Sequence, residues 1–302
     1  LAAITGAWLV WRSEMVVRYL PPDANDLIYT PLQFLAAGDR VTSALSIQGQ
    51  YLWKQLVPVG LQGIYSGPAV SQPLFLNSPA GWAVVFATSI LLVWAIWAWR
   101  RFQAGGTLVL AYLLAFLPAS NLLFAVGVTM AERLAYLPSA WFCTMLAAGF
   151  LRLMACAPWR RIVTVMVVLS LVSGLTLTLV RNPDFSSARS LWQTDVDNDP
   201  QNVLAWMFLA TSYAELNQRP EAERAYQKME ALAPDFSEGL QSYARFLLEQ
   251  GRYDEAIEKG LRVADSPENW SAQNAMVLAR AYYRKDNFEE TLRWLEKARP
   301  LF

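Results

Sequence analysis

The sequence predicts an all-α protein in two parts, a set of membrane-crossing helices followed by a solenoid of helical hairpins. Three observations carry that expectation. The 302-residue chain is 55% hydrophobic and only 17% charged, too apolar for an ordinary water-soluble protein. Long uncharged runs recur up to Val180. Beyond Arg181 they stop, and residues of one type begin to recur every 34 positions. The formal net charge of zero conceals this change: residues 1–183 hold 11 Lys+Arg and 5 Asp+Glu, whereas residues 184–302 hold 14 and 20.

The opening LAAITGAWLVW reads as the end of a hydrophobic helix over residues 1–11, the last turns of a membrane domain expected to extend further upstream. No basic segment precedes it, so a signal peptide is not expected. Segment 31–61 is helical in character but carries Asp39, Arg40 and Lys54, with Tyr51 and Trp53 near its far end. That composition suits a helix at the outer membrane interface. Spans follow at 81–99, 107–126, 134–151 and 162–180, each about 18–20 residues and able to cross a core of ~30 Å. Arg100-Arg101 and Arg160-Arg161 mark the cytoplasmic side by the positive-inside rule, which places residues 13–80, 127–133 and everything after Arg181 on the opposite side. Trp11, Trp82, Trp99, Trp141 and Trp159 sit at span ends as an aromatic belt. The membrane domain is therefore 1–181.

The remainder, 186–302, is a repeat domain of about three units. Ala188, Ala222 and Ala256 are 34 residues apart, as are Pro200 and Pro234. Trp206, Leu209, Ala210, Tyr213, Ala222, Tyr226 and Pro234 follow the tetratricopeptide pattern, and Ala244, Tyr253, Leu278, Ala279, Tyr282 and Phe288 continue it. Small residues at Ala210, Ala244 and Ala279 let the two helices of a hairpin approach closely. Residues 186–196 read as a lone second helix leading into the array. A hairpin cannot bury its apolar face alone, so the units must stack, and such stacks bind proteins.

Catalytic signatures are few. The chain has no His, which removes the commonest general base and metal ligand. No phosphate loop, dinucleotide fingerprint, zinc spacing or nucleophile elbow is present. No cofactor, metal site or nucleic-acid partner is predicted. Cys143 and Cys156 are 13 residues apart, roughly 20 Å along a helix, too far for a disulfide. What stands out is Glu132-Arg133 in MAERLAYLPS, the only charges between Arg101 and Arg152. Two readings are open. In the first, the pair simply starts the following helix, the acid facing its positive end and the arginine snorkelling to headgroups. Alternatively, Arg133 binds a lipid-linked phosphate, with Glu132 orienting it. Arg40 is a weaker candidate for the same role.

Two stretches together resemble a known family. NLLFAVGVTMAERLAYLPSAWFC (121–143) and TPLQFLAAGDRVTSALSIQGQYLWKQLVPVGLQGIYS (30–66) are similar to the transmembrane and tetratricopeptide-repeat proteins called TMTC and their bacterial relatives. The run Leu52-Trp53-Lys54-Gln55-Leu56-Val57-Pro58 and Tyr65-Ser66 fit the family, while Ile64 replaces an expected Asp. The resemblance implies the C-terminal part of a GT-C type glycosyltransferase. Such an enzyme passes a sugar, mannose in the animal members, from a polyprenyl-phosphate carrier to protein hydroxyls on the periplasmic or luminal side. It implies an integral protein of a bacterial inner membrane or an endoplasmic reticulum membrane, with the carrier lipid and acceptor proteins as partners. The family's catalytic acidic residues belong to the first outward loop, and no residue here matches it, so no catalytic residue is carried over. With the resemblance added, Arg133 is favoured as the lipid-phosphate contact, with Glu132 in support rather than as catalytic base. A non-enzymatic, membrane-anchored repeat scaffold is the competing expectation. An O-antigen ligase or oligosaccharyltransferase of another family fits less well, because those rely on Arg and His in a large loop.

Overall fold

The computed structural model describes residues 28, 32, 35–66, 79–101, 104–122, 128–155, 158–264 and 271–299. Among them are twelve α-helices, and the backbone pairing outside helices is a single bridge between Tyr65 and Met130. The expected helix at 1–11 and Cys156 lie outside the described residues; Cys143 is an exposed free thiol. The chain divides into two compact units, one over Thr30–Pro200 and one containing Gln201–Phe302.

The first unit comprises α1 (Ala37–Leu56), α2 (Pro79–Arg100), α3 (Ala104–Phe116), α4 (Tyr136–Met154), α5 (Arg160–Arg181) and α6 (Ala188–Asn198). Helix α1, the element expected within 31–61, buries Ile47 and Tyr51 in a core with Tyr65, Tyr112, Phe116, Met130 and Phe142. The Tyr51 and Phe116 rings are 4.8 Å apart and tilted, and their contact adds about 0.5–1.5 kcal/mol beyond the area they bury. Helix α2 is apolar all round and ends at Arg100; Arg101 then lies over the Trp97 ring at 5.5 Å. The short turn lets α3 pack back on α2, and Gly106 makes the approach possible. A Cβ there would sit 2.6 Å from Ala98 Cβ and Trp99 N and 2.8 Å from Ala95 O.

The helix expected over 107–126 is shorter than its hydropathy suggests. It ends at Phe116, continues as a 3-10 turn over Leu117–Ala119, and gives way to Asn121 at φ 58°. Pro118 has no N–H to extend the helical ladder, and Asn121 donates its amide to Thr129 O instead. Among the described residues, two stretches are long and apolar enough to cross a membrane, Glu132–Met154 with mean hydropathy 1.5 and Arg160–Ser186 with 2.3. Helix α5 leaves Leu169, Leu171, Leu175, Leu179 and Val180 more than 60% exposed. Its hydroxyls turn back on the helix: Thr164, Ser170, Thr176 and Thr178 each donate to the carbonyl four residues earlier at 2.8–2.9 Å. Such back-bonding satisfies a hydroxyl without a water partner.

The second unit is three antiparallel hairpins: α7 (Val203–Glu215) with α8 (Arg219–Leu232), α9 (Ser237–Glu249) with α10 (Tyr253–Ala264), and α11 (Ala272–Arg284) with α12 (Phe288–Ala298). Ala210, Ala244 and Ala279 are at most 2% exposed, so no larger side chain fits between the helices of a pair. Each first helix stops at a left-handed residue, Asn217, Gly251 or Asp286, with φ between 58° and 78°. Between hairpins, the Tyr226 and Tyr243 rings stack at 5.0 Å, and Asn274 donates to Gly260 O at 2.9 Å. Helix α6, which the repeat spacing groups with this array, lies in the first unit. Bonds from its Asp195 and Asn198 to residues 61–64 explain why.

Candidate functional site

Residues 130–133 are held from two sides. The Tyr51 hydroxyl donates to Ala131 O at 3.0 Å and accepts from Ala131 N at 2.9 Å, while Tyr65 N donates to Met130 O at 3.1 Å. One buried hydroxyl on α1 thus satisfies both backbone groups of the residue before Glu132. A 3-10 turn over Glu132–Ala135 then leads into α4.

Glu132, expected to orient Arg133, is held by a different arginine. Arg181, the last residue of α5, donates Nη2 to Glu132 Oε2 at 2.9 Å and Nη1 to Leu61 O at 2.9 Å. The Tyr65 hydroxyl reaches Glu132 Oε1 at 3.3 Å and accepts from Gln62 N at 3.1 Å. The loop 59–64 is fixed further by Lys54, whose Nζ donates to Val59 O and Gly60 O at 2.8 Å. Burial holds the Lys54 ammonium below its ordinary range, partly offset by the Glu132 charge.

Helix α6 closes the other side. A capping box built by Ser187 and Ser190 starts it. Its wholly buried Asp195 accepts from Gly63 N at 3.0 and 2.9 Å and from Ile64 N at 3.4 Å. Burial pushes the Asp195 carboxyl up to about 6, against the pull of those N–H groups. Gly63 keeps this contact close, since a Cβ would stand 3.3 Å from Asp195 Oδ2 and 3.7 Å from the Trp192 ring. Asn198 adds a bond from Nδ2 to Leu61 O at 3.1 Å.

Between these segments lies a cleft of about 570 Å³, lined by Glu132, Arg133, Ser139, Phe185, Leu191 and Trp192 among others. Glu132 is the only carboxylate lining it among the described residues, and Arg181 occupies that carboxylate. Arg133 is exposed in the cleft and makes no hydrogen bond or ion pair among the described residues. The arrangement offers a free planar cation beside aromatic walls, a combination that suits a phosphate attached to an apolar or ring-bearing group. The structure brings Glu132 and Arg133 to this cleft but not Arg40. Arg40 lies eleven residues before Tyr51 on α1, about 16 Å along the axis, with its Nε buried and unpartnered.

Arg181, Asp195, Phe185 and Trp192 belong to the site and were not singled out by sequence. Arg181 reads as the charge that ends a span. Asp195 carried one faint signal, its place four residues after Leu191, on the face that α6 buries.

The comparisons with known proteins agree with the quoted resemblance. The tetratricopeptide repeat family matches residues 177–236 and 209–273. Protein O-mannosyl-transferase Tmtc2 of Drosophila melanogaster is 41% identical over 92 residues, 30% of this chain and 10% of that protein. Tmtc1 of the same organism is 36% identical over 111 residues, covering 35% and 13%. Human TMTC3 is 25% identical over 166 residues, covering 44% and 18%. The chain is TMTC-like, with tetratricopeptide repeats. The matched stretches span 10–18% of these relatives' own lengths, so the likeness to the TMTC proteins concerns a part of them.

Proposed function

We propose that this chain works in a membrane glycosyltransferase that passes a sugar from a polyprenyl-phosphate carrier to protein hydroxyls, with the repeats holding acceptor or partner proteins. The observation that carries this reading is the free Arg133 in a cleft closed by segments 61–66, 130–133 and 181–198. These are the segments assigned by the positive-inside rule to the repeat-bearing side, which the proposal takes as periplasmic or luminal. The outward apolar surface of α5, with its hydroxyls bonded inward, supports an integral membrane setting. So do the apolar α2, α3 and α4, read as spans together with the helix end at 1–11.

In the proposed reaction an acceptor hydroxyl gives its proton to a carboxylate, and its oxygen attacks the anomeric carbon. The carrier phosphate leaves with the bonding electron pair. Arg133 stabilises the charge gathering on that phosphate, and Phe185 and Trp192 wall the adjoining space. Glu132 keeps the loop closed through Arg181 and is not the base, which stays unassigned among the residues described. The names of the relatives, protein O-mannosyl-transferases, support the reaction class.

The test is Arg133→Ala in the full-length protein, assayed in membranes with a polyprenyl-phosphate-linked sugar and an acceptor protein. Losing a charge-assisted contact to the leaving group lowers transfer about 10- to 100-fold per molecule of embedded protein. Unchanged transfer per molecule, with less protein in the membrane, would assign Arg133 a structural role and sink the proposal. A second reading, a non-enzymatic membrane-anchored scaffold, draws on a different observation: the cleft's carboxylate is already committed to Arg181. Absence of any transfer by the wild-type protein, with partner binding intact, would favour it.

A further inference from the structure

In the second unit, the first helices of the last two hairpins, α9 and α11, lie side by side and enclose a cleft of about 470 Å³. Among the described residues its charged lining is two arginines and one glutamate, Arg245, Arg280 and Glu249, an excess of positive charge. This is unexpected in a segment where acids outnumber bases, 20 to 14 over residues 184–302. The two arginines occupy equivalent places, each directly after the close-packing alanine of its hairpin, Ala244 or Ala279.

Several other cations of the unit are neutralised. Arg252 meets Glu223 and Glu255, Lys259 and Arg262 share Glu230, and Lys285 meets Asp254. Arg245 and Arg280 are exposed and meet no carboxylate within ion-pair distance among the described residues. Between them runs a polar ladder: Ser271 Oγ donates to Gln241 Oε1 at 2.9 Å, and Gln241 Nε2 donates to Gln273 Oε1 at 3.0 Å. The Gln273 amide nitrogen is left without a described partner. Leu248, Met276 and Val277 supply apolar lining.

We infer that this cleft binds an extended peptide segment bearing two or more carboxylates, which Arg245 and Arg280 pair with from successive hairpins. The inference deepens the reading of the repeats as a protein-binding surface and rests on it. The ligand class follows from three features together. Unpaired guanidiniums select carboxylates by bidentate hydrogen bonding. The Gln273 amide suits a main-chain carbonyl, which a free inorganic anion lacks. The apolar lining suits side chains between the acidic positions. A single-stranded nucleic acid would need aromatic rings for its bases, and among the described residues the cleft lining has none.

The experiment measures fluorescence anisotropy of the full chain in nanodiscs with three labelled peptides that share one backbone, carrying Glu, Gln or Lys at alternate positions. The Glu peptide binds most tightly, and binding weakens as salt is raised. Arg245→Glu and Arg280→Glu each weaken it roughly 10-fold or more, whereas Arg224→Glu, the same charge change on an exposed site of α8, leaves it within about 2-fold. All three positions are exposed, and thermal melts confirm that the variants fold. Equal or tighter binding of the Gln or Lys peptide overturns the acidic assignment while leaving a protein-binding repeat surface. Binding of none of the peptides overturns it together with that surface. Binding of the Glu peptide undiminished in both cleft variants, or tighter binding of a single-stranded oligonucleotide, overturns it as well.

Discussion

In the repeat unit, Arg252, Lys259, Arg262 and Lys285 meet carboxylates across successive hairpins, at side chains that range from well shielded at Lys259 and Glu230 to exposed at Asp254. In the unit of α1–α6, Glu132 and Arg181 come from the ends of different helices and meet at 2.9 Å with side chains about three-quarters shielded. Asp195 is buried altogether. The apolar balance is reversed too: the repeats face leucines, alanines and tyrosines inward, whereas α5 turns leucines and valines outward. The lesson is that the same charged residue types serve different ends. Distributed along a solenoid they tune solubility and recognition; gathered where apolar helices end, they decide whether distant loops close into a site.

Four changes would break or sharpen this contrast. The largest effect is expected at Gly106→Leu, where the added side chain meets the α2 backbone at 2.6–2.8 Å. A loss of about 3 kcal/mol or more, read as a collapse of the monodisperse fraction in detergent, is predicted. Gly149→Leu, at a site with nothing within 4 Å, is the control and leaves that fraction unchanged.

Next comes Arg181→Ala, which removes the charged partner of the Glu132 carboxylate and one of the two donors to Leu61 O. Removing one member of a mostly shielded pair costs about 2 kcal/mol here, less than at a fully buried one. The melting temperature of the first unit falls accordingly, and Arg181→Lys recovers part of it. A melt indifferent to both changes would erase the distinction between the two units.

The third is a pH dependence. Burial raises the Asp195 carboxyl from 3.8 to about 6, so the folded unit keeps a proton that the unfolded chain has already released. The stability this contributes is complete below about pH 4 and lost as pH rises through about 6. A decline on the order of 1–2 kcal/mol between those values is expected in the wild type, and a flatter profile in Asp195→Asn. Parallel profiles would remove Asp195 from the account. The smallest effect is expected at the repeat surface: Glu255→Ala, whose side chain is 48% exposed, shifts stability by under about 0.5 kcal/mol.

How far each region was legible in the sequence follows the same divide. The repeats announce themselves because Ala210, Ala244 and Ala279 sit at fixed spacing and only a small side chain fits there. The left-handed stops at Asn217 and Asp286 could have been inferred from Gly251 at the equivalent place. Hydropathy found α2, α4 and α5 but overran α3, because Leu122, Leu123 and Phe124 remain apolar after Pro118 and Asn121 have ended the helix. The site was half visible. MAERLAYLPS gave Glu132 and Arg133, but the partner of Glu132 lies 49 residues away and that of Asp195 lies 132 away at Gly63. No local period carries such pairings, and Arg181 reads as a helix terminus because it ends α5 as well.

The central proposal is that residues 127–133 and everything after Arg181 lie on one side of a membrane, opposite the turn between α2 and α3. It is tested most directly by cysteine labelling of intact vesicles or spheroplasts with a membrane-impermeant maleimide, in a background with Cys143 and Cys156 replaced by Ala. The account predicts that Asp197→Cys on α6 and Lys228→Cys on α8, both exposed, are labelled from outside, while Ala104→Cys is labelled only after detergent. Labelling of Ala104→Cys from outside, or of Asp197→Cys and Lys228→Cys from opposite sides, would contradict it.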